Sequence, residues 1–528
     1  MKNRIKQYLL AASMCVGLTA CSDFFEPIPG VQFGLDETFA SKQRTEEYLN
    51  NVYSYVREVT DAIHPNTYGG IFTEASLDGA NRWNKTYAEW TNGSFNSASA
   101  QASEYFSKYY QAIAKASTFI QNVDKCTEAA ASTRGKWKSE ARALRAYYYF
   151  ELLRLYGPIP LIGEDPIPLD ASLEELIKER NSVDECVNFI ATELQSAIDS
   201  GDLLQRAGKA NLGRMDVATC MALKAKLYLY WASPLFNGNT DQASVKNKDG
   251  KQLFPQTEDN SKWTQARDAY ERFMTFATGQ GYKLTEVYTN GKLDPYASCR
   301  AAGEFFTTTW EAVDELIFVK LRDLYDYTYW VCPKFTDFQD TDVTGGGGYY
   351  TTQETVDLFF TKDGLTIEED PGYDKFEGIP SANNFTSGRY YDPNNPSRLY
   401  FDADKSKVLK QWKDREPRFY VNITYSGSIW LNEGKYNEEM RTDFTNGANG
   451  TCGKSKASGD CPDSGYLIRR GAKASNNNGS KHFSPVLRLA DMYLGYAEAL
   501  CMCSDLDNAL TYLNKIRVRA GIPEYTFT

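Results

Sequence analysis

Histidine is nearly absent from this chain. Its 528 residues include only His64 and His482, which lie far apart and in no recognisable motif. The spacings of a zinc site, a nucleophile elbow and a phosphate-binding loop are also missing. Asp and Glu are plentiful, so a pair of glycosidase carboxylates stays open. The sequence therefore predicts a protein that is not an enzyme.

Basic stripes and long apolar runs are missing as well. The net charge is −11, and no cluster of Lys and Arg stands out that would neutralise phosphates. We therefore expect no nucleic-acid partner. No segment after residue 20 is apolar enough to cross a membrane as a helix, which takes about 20 residues. An apolar content of 42% and a charged content of 24% are ordinary for a globular protein.

The cysteines indicate little chemistry. Nine of the eleven remain after Cys15 and Cys21, and an odd number cannot all pair internally. Cys452 and Cys461 flank a loop rich in Gly and Ser and are a candidate disulfide, with two unpaired thiols as the alternative. We expect no cofactor and no catalytic metal. Residues 392–395, Asp-Pro-Asn-Asn, form either a structural calcium site or, as we favour, a turn.

The first residues have the layout of a secretory signal. A cationic start is followed by a short apolar run, residues 8–20, that ends in small residues. The run Leu18-Thr19-Ala20-Cys21 resembles a bacterial lipobox. We therefore expect a signal peptide over residues 1–20, lipidation of Cys21, and a Pro- and Gly-containing tether over 21–34. The alternative is an ordinary signal peptide that happens to precede a cysteine.

Apolar side chains recur at helical spacing in several segments. The pattern predicts helices over residues 105–122, 137–155, 215–232 and 485–500. Ser504 or Asp505 is expected to cap one further helix, which ends near Gly521. Two amphipathic helices joined by a short turn are the unit of a helical repeat array.

The middle of the chain has a different character. Gly, Asn, Asp, Ser and Tyr dominate residues 234–481, and strand-like pieces appear at 315–321 and 419–425. We therefore expect a mainly α protein with one domain over residues 35–528. Its helical scaffold would cover 35–233 and 482–528, and a loop-rich portion with short strands would carry the binding function.

Three blocks of sequence resemble the hallmarks of the SusD/RagB family. They are residues 140–161, EARALRAYYYFELLRLYGPIPL; residues 213–234, GRMDVATCMALKAKLYLYWASP; and residues 485–499, PVLRLADMYLGYAEA, with 513–521, LNKIRVRAG. The resemblance implies a tetratricopeptide-like helix-pair scaffold with a large irregular insert. It also implies a lipid-anchored protein at the surface of the outer membrane that binds glycans and serves a SusC-like TonB-dependent transporter. Members usually continue beyond the last block, so we expect either a truncated C-terminal end or a chain that lacks the terminal helices.

Aromatic residues outside the helical stripes are the candidate binding residues, because the apolar faces of sugars lie flat on rings. One group is Trp83, Tyr87 and Trp90; a second is Tyr325, Tyr327, Tyr329 and Trp330, of which the three tyrosines would share one side of an extended segment; Tyr296 is a third candidate. Asn81, Arg322 and Asp323 are expected to donate or accept hydrogen bonds at the rim. Burial in the core is the alternative for each ring.

Glycan capture is the function that we favour from the sequence. Each ring that stacks on a sugar buries roughly 50–100 Å², worth about 1–2 kcal/mol. A few such contacts give only about millimolar to micromolar affinity, which suits capture and release. Two alternatives stay open: a RagB-like lipoprotein that captures peptides, and a helical-repeat scaffold that binds other proteins.

Overall fold

The structure is a computed structural model. It describes residues 34–56, 76, 79–81, 89, 93–165, 167, 171–303, 314–322, 329–335, 345–430, 440–444, 452, 460–472 and 482–526. Within these residues no helix has the length and apolar character that crossing a membrane requires.

Helices make up most of the described part before residue 280. They are α1 Leu35–Ala40, α2 Lys42–Ser54, α3 Ala100–Asn122, α4 Ala131–Tyr156, α5 Leu173–Leu176, α6 Val183–Asp199, α7 Val217–Ala232 and α8 Ser261–Gly279. Two more long helices close the chain, α12 Leu489–Met502 and α13 Leu506–Arg519. The longer helices pack in succession, from α3 on α4, through α6, α7 and α8, to α12 and α13. The prediction of a mainly helical scaffold is confirmed.

Helix ends follow the local chemistry of the sequence. The carboxylate of Asp216 accepts a hydrogen bond of 2.7 Å from the amide of Thr219 and caps α7. Gly157 ends α4 with a φ of +68°, which favours glycine over other residues. One face of α7 carries Ala218, Ala222 and Ala225, all of them buried. These small side chains let the neighbouring helices approach closely.

Helix α8 extends the scaffold beyond residue 233, where we expected the loop-rich portion to begin. It packs against both α7 and α12. Gly495 of α12 faces the buried Tyr270 of α8, and a Cβ atom at residue 495 would overlap the Tyr270 ring. This helix was not predicted from the sequence, because a long polar stretch precedes it and its N-cap residue, Asn260, makes no capping hydrogen bond with its side chain.

The predicted helix over residues 485–500 begins too early. Residues His482–Arg488 form strand β10, and helix α12 starts only at Leu489. Strand β10 pairs antiparallel with β4, Leu316–Arg322, and places Pro485 opposite Val319. Tertiary pairing thus overrides the apolar spacing that favoured a helix. The carboxylate of Asp505 caps α13, as expected.

The rest of the chain forms short helices and strands. The helices are α9 Pro295–Gly303, α10 Gln353–Asp357 and α11 Pro417–Asn422. The strands are β1 Ala80–Asn81, β2 Tyr288–Thr289, β3 Lys292–Leu293, β5 Tyr349–Tyr350, β6 Arg389–Asp392, β7 Asn395–Asp402, β8 Ile423–Tyr425 and β9 Tyr466–Ile468. A four-stranded sheet has the order β1-β5-β9-β8, while β2–β3 and β6–β7 are hairpins. The strand predicted over 315–321 is confirmed. The one predicted over 419–425 is wrong in its first part, because Pro417 starts the short helix α11 there.

Candidate functional site

Tyr329 and Trp330 form a pair of rings on a short helical turn. The rings meet edge to face, with centroids 4.9 Å apart, and both side chains are half-buried. The turn is held by a glycine run, residues 345–348. The amide of Gly346 donates to the carbonyl of Tyr329 at 2.8 Å, and the amide of Gly348 donates to that of Trp330 at 3.2 Å. At Tyr329 and Trp330 the structure has a helical turn where we expected an extended segment, while Tyr325 and Tyr327 lie outside the described residues.

Glycine is required in this run because backbone and rings approach closely. A Cβ atom at residue 346 would overlap the Trp330 ring, and one at residue 345 would overlap the carbonyl oxygens of Tyr329 and Cys332. Any larger residue at these positions would push the aromatic pair away. The glycine run was visible in the sequence, but its packing partner was not.

The same run leads directly into strand β5, which pairs with β1. Asn81 lies opposite Tyr349, and Ala80 lies opposite Tyr350. The backbone of Asn81, a predicted hydrogen-bonding residue at the rim of the site, therefore lies beside the strand that follows the glycine run. Asn81 and the strand that continues the glycine run are thus neighbours in the sheet.

Most of the remaining predicted site residues lie outside the described residues. They are Trp83, Tyr87, Trp90, Asp323, Tyr325 and Tyr327. Asn81 and Arg322 are described in their backbone only, as the ends of β1 and β4. Their roles in binding stay predictions.

Tyr296 is a core residue, contrary to our expectation of a binding platform. Its side chain is 8% exposed, and its ring lies 5.7 Å from that of Tyr400, between centroids. The guanidinium of Arg398 covers the ring at 4.2 Å from its centroid. Asp294 and Asp392 both hold Arg398 in place. No sugar can stack on a face that is already covered.

The turn at residues 392–395 is closed by hydrogen bonds. Asp392 accepts from the amide of Asn394 at 2.8 Å and from Arg398 at 2.5 Å. These contacts are those of a turn, which is the interpretation that we favoured, since Arg398 supplies the positive charge beside the carboxylate. Within the described residues no cluster of His, Cys, Asp and Glu has the geometry of a metal site.

Cys452 and Cys461 both belong to the described part of the chain, and both side chains are buried. Cys452 lies in a small apolar cluster together with Cys332, Trp430 and the half-buried Trp330. The pairing of Cys452 with Cys461 stays a prediction.

A groove beside the sheet was not predicted from the sequence. Its volume is about 650 Å³, and Phe376, Trp412, Phe444 and Tyr466 contribute aromatic surface to it. The indole N–H of Trp412 donates to the hydroxyl of Tyr466 at 3.0 Å, and that hydroxyl donates to Gln353 at 2.8 Å. A tyrosine phenol is protonated at neutral pH and can donate there, and burial raises the pKa of Tyr466 further, to about 12. Aromatic walls with a few fixed polar groups are typical of small-ligand sites.

Two family models match complementary parts of the chain. The model described as "SusD family" matches residues 315–528, and the one described as "Starch-binding associating with outer membrane" matches residues 32–229. The chain belongs to the SusD/RagB family. The first model begins at the start of β4, and the second covers helices α1 to α6 and most of α7.

Individual SusD/RagB relatives support the same fold. A "SusD-like protein" of Bacteroides ovatus is 27% identical over 175 residues, which are 32% of this chain and 30% of that protein. A solved SusD-like protein from Bacteroides fragilis is 22% identical, with a TM-score of 0.66 over 94% of this chain and 83% of the other. The structure of surface glycan-binding protein A from Bacteroides uniformis is 15% identical, with a TM-score of 0.55 over 92% of this chain and 82% of the other.

Proposed function

We propose that this protein binds glycans at the cell surface and passes them to a SusC-like TonB-dependent transporter, as a binding protein rather than an enzyme. The observation that carries the proposal is the half-buried Tyr329–Trp330 pair, fixed by the glycine run that leads into strand β5. A rigid ring that keeps one part open offers a flat apolar surface to a sugar at little cost in side-chain entropy. The names of the B. uniformis relative and of the starch-binding family model support a glycan as the ligand.

Replacing Trp330 by Ala tests this proposal. We expect the affinity for a bound oligosaccharide to fall by about 1–2 kcal/mol, roughly five- to thirty-fold, because one stacking contact is lost. The thermal midpoint should change little, since the ring is only half-buried. A glycan array on the purified protein identifies the oligosaccharide, and calorimetry then gives the two affinities.

Tyr288→Ala is the matched control for Trp330→Ala. Tyr288 is also aromatic and is exposed on the β2–β3 hairpin, so its removal should change neither binding nor stability. Unchanged affinity in Trp330→Ala would exclude this ring from the site. Binding of a peptide library in place of the glycan array would favour the RagB-like alternative.

A lipid anchor at Cys21 belongs to the same proposal. Residues 1–33 lie outside the described residues, so the support comes from the lipobox-like sequence and from the family description that mentions the outer membrane. We expect Cys21→Ala to yield a folded protein without acyl chains, because the thiol is the acceptor. Metabolic labelling with a fatty-acid analogue measures this, and Cys15→Ala is the control that should keep its label. Label retained on Cys21→Ala would contradict the anchor.

A further inference from the structure

A cleft of about 320 Å³ lies where helices α12 and α13 meet the short helices α9, α10 and α11. Four arginines line it, Arg418, Arg470, Arg488 and Arg519. Among the described residues that line the cleft, Glu416 is the one carboxylate. The cleft is therefore electropositive, although the net charge of the whole chain is −11.

The charges around this cleft do not cancel in pairs. Arg519 donates to both carboxylate oxygens of the buried Glu315, at 2.9 and 2.8 Å. Arg488 lies 3.8 Å from the same carboxylate and donates to the carbonyl of Ala302. Arg418 pairs with Glu416, at 3.1 Å for one of its two contacts. Among the residues that the structure describes, three guanidinium groups thus share two carboxylates, which leaves one excess positive charge even without Arg470.

The excess charge is accessible from solvent. The side chains of Arg418 and Arg488 are 34% and 23% exposed, whereas that of Arg519 is 7% exposed. Arg519 therefore anchors the floor, and the two more open arginines keep N–H groups at the mouth. The thiol of Cys299 also lines the cleft and lies close enough to these three arginines for their charges to act on its pKa. Burial raises its pKa to about 11, while Arg519, Arg418 and Arg488 all act in the opposite direction.

Helix α12 adds a further positive contribution. It begins at Leu489, and Ala490 of its first turn lines the cleft. Arg488 stands at the N-cap position, and its side chain makes no capping hydrogen bond. The amide of Leu489 already donates to the carbonyl of Glu315, so the start of this helix contributes the partial positive charge of its first turn, which favours an anion.

We infer that this cleft binds the carboxylate of a uronic acid residue in an acidic oligosaccharide. The inference rests on the proposed function, since it takes the ligand to be a glycan. The planar fork of an arginine matches a carboxylate with two parallel hydrogen bonds. The volume of the cleft lies at the lower end of the roughly 300–1,000 Å³ that is typical of ligand sites. It therefore accommodates a single sugar unit rather than a chain. The cleft therefore selects for charge at one position of a glycan.

Calorimetry with two matched probes tests the inference. The full-length protein is titrated with a galacturonic acid trisaccharide and with the neutral galactose trisaccharide of the same linkage. We expect the acidic probe to bind more tightly, and its affinity to fall as salt is added, because the guanidinium groups at the mouth are partly screened. In Arg418→Gln the affinity for the acidic probe should fall about tenfold or more through the loss of a charged hydrogen bond. The affinity for the neutral probe should not change.

Two further variants serve as controls for this test. Arg418→Lys retains the charge without the fork and should keep part of the preference for the acidic probe. Arg389→Gln removes an arginine on strand β6 that pairs with the buried Asp402, and it should leave both affinities unchanged. Thermal melting of each variant shows whether its fold is intact.

Equal affinity for the two probes, or unchanged affinity of Arg418→Gln for the acidic one, would overturn the assignment of the cleft. If neutral glycans still bind through Trp330 in that case, the proposed function stands and only the cleft assignment fails. If no glycan of either kind binds, the proposed function itself fails. Preference for a sulfated trisaccharide over the uronic acid one would likewise overturn the carboxylate assignment.

Discussion

Glu315→Gln is expected to destabilise the fold by about 3–5 kcal/mol, because it leaves the buried guanidinium of Arg519 without its counter-charge. Glu315 is 1% exposed and joins three parts of the chain. It accepts from Arg519 of α13 and, at 2.8 Å, from the amide of Thr285, while its own carbonyl accepts from Leu489, the first residue of α12. Urea or thermal unfolding measures the loss.

The neighbouring Asp314 supplies the control for Glu315. Asp314 is partly exposed and pairs with Arg206 and Lys283, so Asp314→Asn should cost at most about 1 kcal/mol, as surface ion pairs do. Equal stability losses in the two variants would contradict a special role for the buried carboxylate.

The effect of Glu315→Gln should also depend on pH. Burial raises the pKa of Glu315, but Arg519 and Arg488 outweigh burial and hold the pKa below its ordinary value. Its contribution is therefore fully present above the pKa of the unfolded chain, about 4.3, and is lost as the pH falls through the lower pKa of the folded state. The difference in unfolding free energy between wild type and variant should shrink in that acidic range.

The helical scaffold could be predicted from the sequence because its burial follows a local period. In α3, for example, Tyr109, Ile113 and Ile120 recur at helical spacing and are buried, and exposed residues lie between them. The start of α12 could not be predicted in the same way. The run from Pro485 to Leu489 is short and apolar, and pairing with β4, more than 160 residues earlier, decides that its first part is a strand.

In the candidate site, too, the local sequence identified aromatic residues, but their surroundings depend on residues that are distant in the chain. Tyr329 and Trp330 stood out as rings in a polar context, but their support comes from a glycine run that follows 15 residues later. Tyr296 stood out for the same reason, yet Arg398 and Tyr400 cover it. The local sequence can thus identify a candidate aromatic residue, while contacts from distant parts of the chain decide whether its ring is accessible to a ligand.

Trp330 of the aromatic pair packs on a small apolar cluster, so the position of its ring depends on few residues. The buried members are Val331, Cys332, Phe335, Tyr349, Trp430, Met440, Cys452 and Ala472, and Trp330 packs against them. Trp430 is the largest and is 1% exposed. Its ring meets that of Phe335 edge to face and receives the guanidinium of Arg469 at 5.5 Å from its centroid.

Trp430→Ala should therefore cost about 3–5 kcal/mol of folding stability, as the removal of a large buried ring usually does. The cluster is too small to refill the cavity, so the turn that carries Tyr329 and Trp330 should lose its fixed position and glycan affinity should fall as well. Trp330→Ala, by contrast, should weaken binding with little change in stability. Thermal melting and calorimetry on both variants separate a supporting tryptophan from a binding one.

Trp430→Phe is the conservative variant that completes this comparison. It keeps an aromatic ring against Phe335 and Arg469, so it should recover most of the stability and of the affinity that Trp430→Ala loses. If Trp430→Ala melted like the wild type, the cluster would not support the turn. If it melted early yet bound glycan with unchanged affinity at a temperature where it remains folded, the binding site would have to lie away from Tyr329 and Trp330, since no ring can stay in place once the surface beneath it is gone.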